Sequence, residues 1–350
     1  MSGALLIYGA SGYMGALTAR KAVEIGLQPI LGGRRAEALA PLAKELGLAT
    51  RVAALDDDAQ LDHVLDGVTA VLNCAGPFPA TTVPLANACI RAGVHYLDLA
   101  GEIPEYEALL ALNETARAAG VMLMPGVGFA VVPTDCMAVH LKRQLPDAVK
   151  LQLAFQADGT VTRGTATNIF RQLHKTGVQR RSGALVTTRP AERGHRLDLG
   201  AGTTKVCTNP WRADITTAYQ STGIPTVETY TAMPLPVRLV MRSSRYVGWM
   251  FASRPWQALL GVAIRFMPEG PTEKQLATGA SYVFGSVENA EGTSVAARLR
   301  GPEVNLFTAL TAVEVARRVV ADSPPPGFQT PAGVYGPELV LVKGVELTNI

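Results

Sequence analysis

Gly9-Ala10-Ser11-Gly12-Tyr13-Met14-Gly15 spaces three glycines as a pyrophosphate-binding turn requires. Gly9 suits a tight turn, Gly12 lets bare backbone approach an anion, and Gly15 allows a helix to lie close on its strand. The amides at that helix start then face the phosphates. A second group, Arg34-Arg35, follows Pro29-Ile30-Leu31-Gly32-Gly33, where the adenosine ribose of a bound dinucleotide would lie. A carboxylate there would accept hydrogen bonds from a free 2′-hydroxyl. Two guanidiniums instead suit a 2′-phosphate, which favours NADP(H) over NAD(H). Arginines after a strand are also ordinary solvated residues, but the glycine spacing beside them favours the ligand.

The elements that position these groups follow from the flanking pattern. Leu5-Leu6-Ile7 is an apolar strand, and Ala16, Ala19 and Val23 predict the inward face of the helix that follows. Strand signals recur at Arg51-Val52-Ala53-Ala54-Leu55, Ala70-Val71-Leu72-Asn73, Tyr96-Leu97-Asp98-Leu99 and Val121-Met122-Leu123-Met124, with helical stretches between them. The alternation predicts an α/β, Rossmann-type doubly wound parallel sheet. Ligands bind beyond the carboxyl ends of such strands. Asp56 is therefore expected near the adenine, and Cys74, Ala75, Gly76, Pro77 and Phe78 near the ribose or nicotinamide half.

A chain of 350 residues with 48% hydrophobic and 17% charged residues exceeds what one domain normally uses. Beyond the first domain, strands follow strands. Val149, Leu151, Leu153 and Phe155 alternate with polar residues, parts of 203–232 do the same, and 281–300 forms a hairpin pattern around Asn289-Ala290-Glu291-Gly292. The expected division is an NADP-binding domain at 1–130, an α+β substrate and dimerisation domain on a largely antiparallel sheet at 131–308, and a C-terminal helix and strand at 309–350 returning to the first domain. The returning strand is expected at 335–341.

A net charge of +3 with dispersed basic residues argues against nucleic acid as a partner. Cys74, Cys89, Cys136 and Cys207 form no C-x-x-C pair, so neither a metal site nor a disulfide framework is expected. They fit a reducing cytoplasm, and the N-terminus lacks the basic-then-apolar order of a secretory signal. Residues 235–268 are unusually apolar, yet Arg254-Pro255 interrupts them and no apolar run reaches the ~18 residues of a membrane span. They suit a lipid surface, the mouth of a pocket for a greasy substrate, or a helix pair buried in a core or homodimer interface.

Taken together, the motifs resemble the saccharopine dehydrogenase-like oxidoreductases, in the branch that includes trans-acting enoyl reductases. The resemblance rests on Gly9 to Gly15, Asn73-Cys74-Ala75-Gly76-Pro77-Phe78, Tyr96-Leu97-Asp98-Leu99-Ala100-Gly101-Glu102, Gly128-Phe129 with Pro133-Thr134-Asp135, and Arg163-Gly164-Thr165. Gly270-Pro271-Thr272 and Thr330-Pro331-Ala332 extend it. Relatives of this kind commonly carry an Asp-Ser pair where this chain has Ala130-Val131. The resemblance implies hydride transfer to a C=N bond, as in saccharopine-type reduction, or to a C=C bond, as in enoyl reduction. The apolar stretch favours a lipid-like small molecule.

Three residues are candidates for proton transfer: Glu102 at the end of the fifth strand, Asp135 just inside a helix opened by Pro133, and His174 towards the end of the helix after Thr165. Each also has an ordinary role as a cap or a dipole partner. Arg163 with the helix start at Gly164-Thr165 is a candidate anion site for substrate. No tyrosine has lysine four positions on, which excludes a short-chain reductase. Two alternatives stay open: a semialdehyde-type dehydrogenase using Cys136, and a non-catalytic NADP-sensing or scaffold protein.

Overall fold

The computed structural model describes residues 3–158, 163–268 and 270–350, apart from the side chains of Gly164, Thr165, Asn168, Ile169, Arg245, Ala263 and Arg265. The chain divides into two compact units, residues 1–132 with 306–342 and residues 133–305 with 343–350.

In the first unit, strands β1 (Ala4–Tyr8), β2 (Ile30–Gly33), β3 (Thr50–Val52), β4 (Val68–Asn73), β5 (His95–Asp98) and β6 (Met122–Met124) alternate with helices α1 (Tyr13–Glu24), α2 (Ala36–Leu46), α3 (Asp58–Leu65), α4 (Phe78–Ala92), α5 (Ile103–Ala111) and α6 (Asn113–Ala118). Every ladder is parallel, and β3-β2-β1-β4-β5-β6 gives the strand reversal between β1 and β4 that opens a ligand crevice. Leu6, Ile7, Val71 and Leu72 have no exposure, as expected where helices cover both faces of a parallel sheet. Each such aliphatic side chain contributes about 2 kcal/mol by leaving water.

The inward face of α1 differs from expectation: Gly15, Leu17, Thr18, Ala19 and Ala22 are buried, while Ala16 and Val23 flank them half-buried. Gly15 brings the helix so close that its own stripe faces the sheet.

In the second unit, α7 (Val132–Gln144) leads to β7 (Lys150–Ala157), α8 (Arg163–Gln172), β8 (Gly177–Arg181), β9 (Ala184–Thr188), β10 (Gly194–Asp198) and β11 (Thr203–Thr208). After them come α9 (Asp214–Thr222), β12 (Thr226–Ala232), α10 (Leu235–Ala252), α11 (Arg254–Arg265), α12 (Glu273–Thr278), β13 (Ala280–Glu288) and β14 (Ser294–Pro302). The sheet runs β10-β11-β12-β7-β13-β14, with β8 and β9 to one side, and is antiparallel except at β12-β7. The 281–300 hairpin forms in continuous register from Ala280 with Pro302 to Glu288 with Ser294.

Helix α13 (Val304–Ala321) is followed by β15 (Gly327–Phe328), which adds to β6 as a seventh parallel strand. The strand expected at 335–341 is absent. Those residues finish the short helix α14 (Pro331–Tyr335) and form a 3-10 turn at Pro337–Val340, where proline removes a ladder donor. The last strand, β16 (Glu346–Asn349), pairs with β14 of the second unit.

Candidate cofactor and catalytic site

The glycine loop folds as its spacing requires. The amides of Gly9 and Ala10 both donate to the Gly32 carbonyl of β2, at 2.9 and 3.1 Å, so β2 holds the turn. Gly9 lies at φ +85°, and a Cβ there would come within 2.6 Å of the Ala75 amide nitrogen. A Cβ on Gly15 would fall 2.3 Å from the Gly9 carbonyl oxygen and 2.7 Å from Ala10 Cα. These are backbone atoms with nowhere to go. Gly15→Ala is therefore expected to lower unfolding stability by about 1–3 kcal/mol, measured by denaturant melts, and to weaken NADPH binding with it. Gly12 differs from these two: it caps α1 without a side chain, and a Cβ there would meet only the Gly9 carbonyl, at 3.4 Å. Bare backbone and the first-turn amides of α1 thus lie at one spot, with Ser11 and Gly12 exposed and Tyr13 and Met14 half-buried around it.

Arg34 and Arg35 are exposed at the end of β2, and neither forms an ion pair with a described residue. Tyr8 at the end of β1 donates to the Ala53 carbonyl at 2.8 Å. Burial pushes its hydroxyl pKa up, the Arg34 charge draws it back, and Asp56 adds to the rise. Arg34 and Asp56 thus both lie within electrostatic reach of the Tyr8 hydroxyl, at the carboxyl edge of β1 to β3.

The loop from Cys74 to Phe78 closes the other side. Asn73 Oδ1 accepts from the Ala75 amide at 3.0 Å, Thr81 donates to the Ala75 carbonyl at 2.7 Å, and Pro77 caps α4. Burial drives the Cys74 thiol to about 12, so it stays protonated and takes no nucleophilic part.

Sequence reasoning missed a buried polar cluster behind this loop. Asn73 Nδ2 donates to the Tyr96 hydroxyl at 3.1 Å, and Tyr96 donates to Asp98 Oδ2 at 2.9 Å. Asp98 Oδ1 accepts the Ala100 and Gly126 amides, each at 2.9 Å. None of the three side chains is exposed. Burial pushes the Asp98 carboxyl up to about 6 against these hydrogen bonds, and the Glu102 charge adds to the rise. The signal was a carboxylate inside the apolar run Tyr96-Leu97-Asp98-Leu99, at a strand's carboxyl end.

Glu102 is half-buried at the N-cap of α5, yet its side chain makes no capping bond. It accepts from the Gly101 amide at 3.1 Å and feels Asp98 electrostatically. Asp135 and His174 belong to the second unit. Asp135 is fully buried on α7 and accepts from Ser221 of α9 at 2.6 Å. His174 lies two residues beyond the end of α8, beside the Gly248 backbone of α10, with its pKa lowered by burial and by Lys175. Arg163 opens α8 and donates to the Met267 carbonyl at 3.1 Å, tying α8 to the segment after α11. The side chains of Gly164 and Thr165 lie outside the described residues. Cys136 is 1% exposed on α7, so it presents no thiol to a substrate.

Residues 5–124 match the family model of the saccharopine dehydrogenase NADP binding domain. This segment is similar to the NADP-binding domain of that family. The residues of the domain fit NADP: bare backbone and helix amides for the pyrophosphate, and guanidiniums unpaired among the described residues where a 2′-phosphate would lie. The chain is 27% identical over 162 residues to the saccharopine dehydrogenase-like oxidoreductase of Rattus norvegicus, covering 40% of this chain and 38% of that protein. It is 30% identical over 149 residues to the trans-acting enoyl reductase of Mycobacterium leprae (strain TN), covering 40% of this chain and 36% of that protein. The matched part thus spans less than two-fifths of these relatives' length. Among solved structures, apo saccharopine dehydrogenase (L-Glu forming) from Saccharomyces cerevisiae aligns over 100% of both chains, with TM-score 0.68 at 12% identity, and so shares the fold.

Proposed function

We propose that this protein is an NADP(H)-dependent oxidoreductase that delivers a hydride to an unsaturated carbon of a lipid-like small molecule. The observation carrying this reading is the glycine loop beside Arg34 and Arg35, which form no ion pair with a described residue, inside a segment similar to an NADP-binding domain. The cofactor, when bound, supplies the hydride. The chain's own residues hold it and manage the proton. Gly9 to Gly15 cradle the pyrophosphate, and Arg34 and Arg35 grip the 2′-phosphate. Asp56 lies on the adenine side, and Cys74 to Phe78 bound the nicotinamide side. Glu102 is the best-supported proton donor because it stands half-buried at the carboxyl edge of the sheet that carries the glycine loop. Asp135 and His174 are weaker candidates, the first being fully buried on α7. Arg163 offers an anion contact for substrate at the start of α8.

A C=C acceptor is favoured over C=N by the apolar composition of residues 235–268. The test is loss of NADPH absorbance with enoyl thioesters and with imines. Glu102→Gln is expected to lower kcat about 100-fold with NADPH binding unchanged. A second reading, an NADP sensor, draws support from Ala130, whose methyl fills the space beside Gly101, next to Glu102 in the chain, and offers no polar group there. NADPH binding with no acceptor ever reduced would favour it.

A further inference from the structure

α10 and α11 leave apolar side chains in water on the face opposite their packing. Met241, Phe251 and Leu173 form the buried side with Phe170 and Trp256. On the other side Leu235, Leu239, Arg242 and Tyr246 recur at i, i+4, i+7 and i+11, one stripe of a helix. Leu239 is 58% exposed, Tyr246 75%, Trp249 76% and, just past α11, Phe266 86%. Single exposed apolar residues are ordinary, but exposed leucines together with two aromatics on either side of the kink at Val247 of α10 are not.

The charge on this segment has one sign. Residues 235–268 contain five arginines and no lysine, aspartate or glutamate. Beneath the stripe, α10 and strands β10 and β11 enclose a cleft of about 440 Å³ lined by Leu235, Leu239, Arg193, Lys205, Arg238 and Arg242. Arg193 lies 3.6 Å from Glu228. Lys205, Arg238 and Arg242 form no ion pair with a described residue. The one acid on the wall, Glu192, accepts the Arg189 amide. Arg238, Lys205 and Cys207 all line the same cleft.

We propose that this cleft binds the phosphate headgroup of an anionic lipid while the α10–α11 ridge lies in the apolar boundary of that bilayer. The aromatic and leucine side chains enter the interface, and the arginines meet phosphates at headgroup depth. No described helix is long and apolar enough to cross a membrane, so the contact is with one leaflet.

The test is sedimentation of the whole protein with phosphatidylcholine vesicles, with and without about 30% phosphatidylglycerol, at physiological ionic strength. The expected result is binding to the anionic vesicles, reduced about tenfold or more by Arg238→Glu with Arg242→Glu. Tyr246→Ser with Trp249→Ser should reduce it comparably, with NADPH binding retained by both variants as evidence of folding. Three results would overturn the proposal. Equal binding to neutral vesicles removes the headgroup site. Full displacement by millimolar inorganic phosphate makes the cleft a site for soluble anions. No vesicle binding, with a dimer that Trp249→Ser dissociates, assigns the ridge to a second copy of this chain.

Discussion

Replacing Arg34 and Arg35 together by alanine should weaken NADPH binding about a thousandfold and leave NADH binding nearly unchanged. Each guanidinium would make a charge-assisted bond to the 2′-phosphate, and such bonds contribute about 1.5–3 kcal/mol apiece. Two of them correspond to roughly three orders of magnitude in affinity. Both side chains are exposed, and neither forms an ion pair with a described residue, so their removal breaks no contact on which the fold depends. Titration of the double variant with both cofactors, followed by protein fluorescence, gives the ratio directly. If NADPH and NADH weaken equally, the arginines act on the pyrophosphate or on the loop instead. If neither weakens, the 2′-phosphate lies elsewhere.

The first unit was legible because its chemistry and its architecture use the same residues. The glycines that fold the β1–α1 turn are those that would face a pyrophosphate, so one motif carried both. The polar cluster was harder to see, because Asn73 sits on β4 while Tyr96 and Asp98 sit on β5, and only the parallel sheet brings them side by side. The inward stripe of α1 was misplaced because Thr18 is polar yet faces the sheet, and Gly15 has no side chain to count. In the second unit the hairpin of β13 and β14 was marked by its Asn-Ala-Glu-Gly turn. For α10 the apolar pattern covers more than one face, so periodicity gave no sign of which face meets solvent. Residues 335–341 looked like a strand from their apolar content alone, and Gly336-Pro337 was the turn signal that outweighed it.

Asp98 should make the protein less stable as pH rises, and Asp98→Asn should remove that slope. In the unfolded chain an unperturbed aspartate titrates near 3.8, and in the fold burial raises Asp98 to about 6. The folded state therefore holds the proton more tightly. Its contribution is fully present below about pH 4 and is lost as pH rises through about 6, by about 3 kcal/mol in all. Asparagine keeps an oxygen for the Ala100 and Gly126 amides, both of which use Oδ1. Its Nδ2 replaces the oxygen that accepts from Tyr96, so the Tyr96 hydroxyl turns from donor to acceptor at that position. Asp98→Asn is therefore expected to match the parent near pH 3 and to exceed it by about 3 kcal/mol at pH 8. Asp98→Ala instead leaves the buried Ala100 and Gly126 amides without an acceptor, a cost of about 4 kcal/mol where the parent carboxyl is protonated. That deficit should shrink by about 3 kcal/mol at pH 8, where the parent carries the buried charge. Denaturant melts of the three proteins at both pH values separate these effects, since other carboxylates contribute equally to all three. A parent and an asparagine variant with parallel pH profiles would mean that Asp98 stays ionised throughout, held by its three donors against the cost of burial.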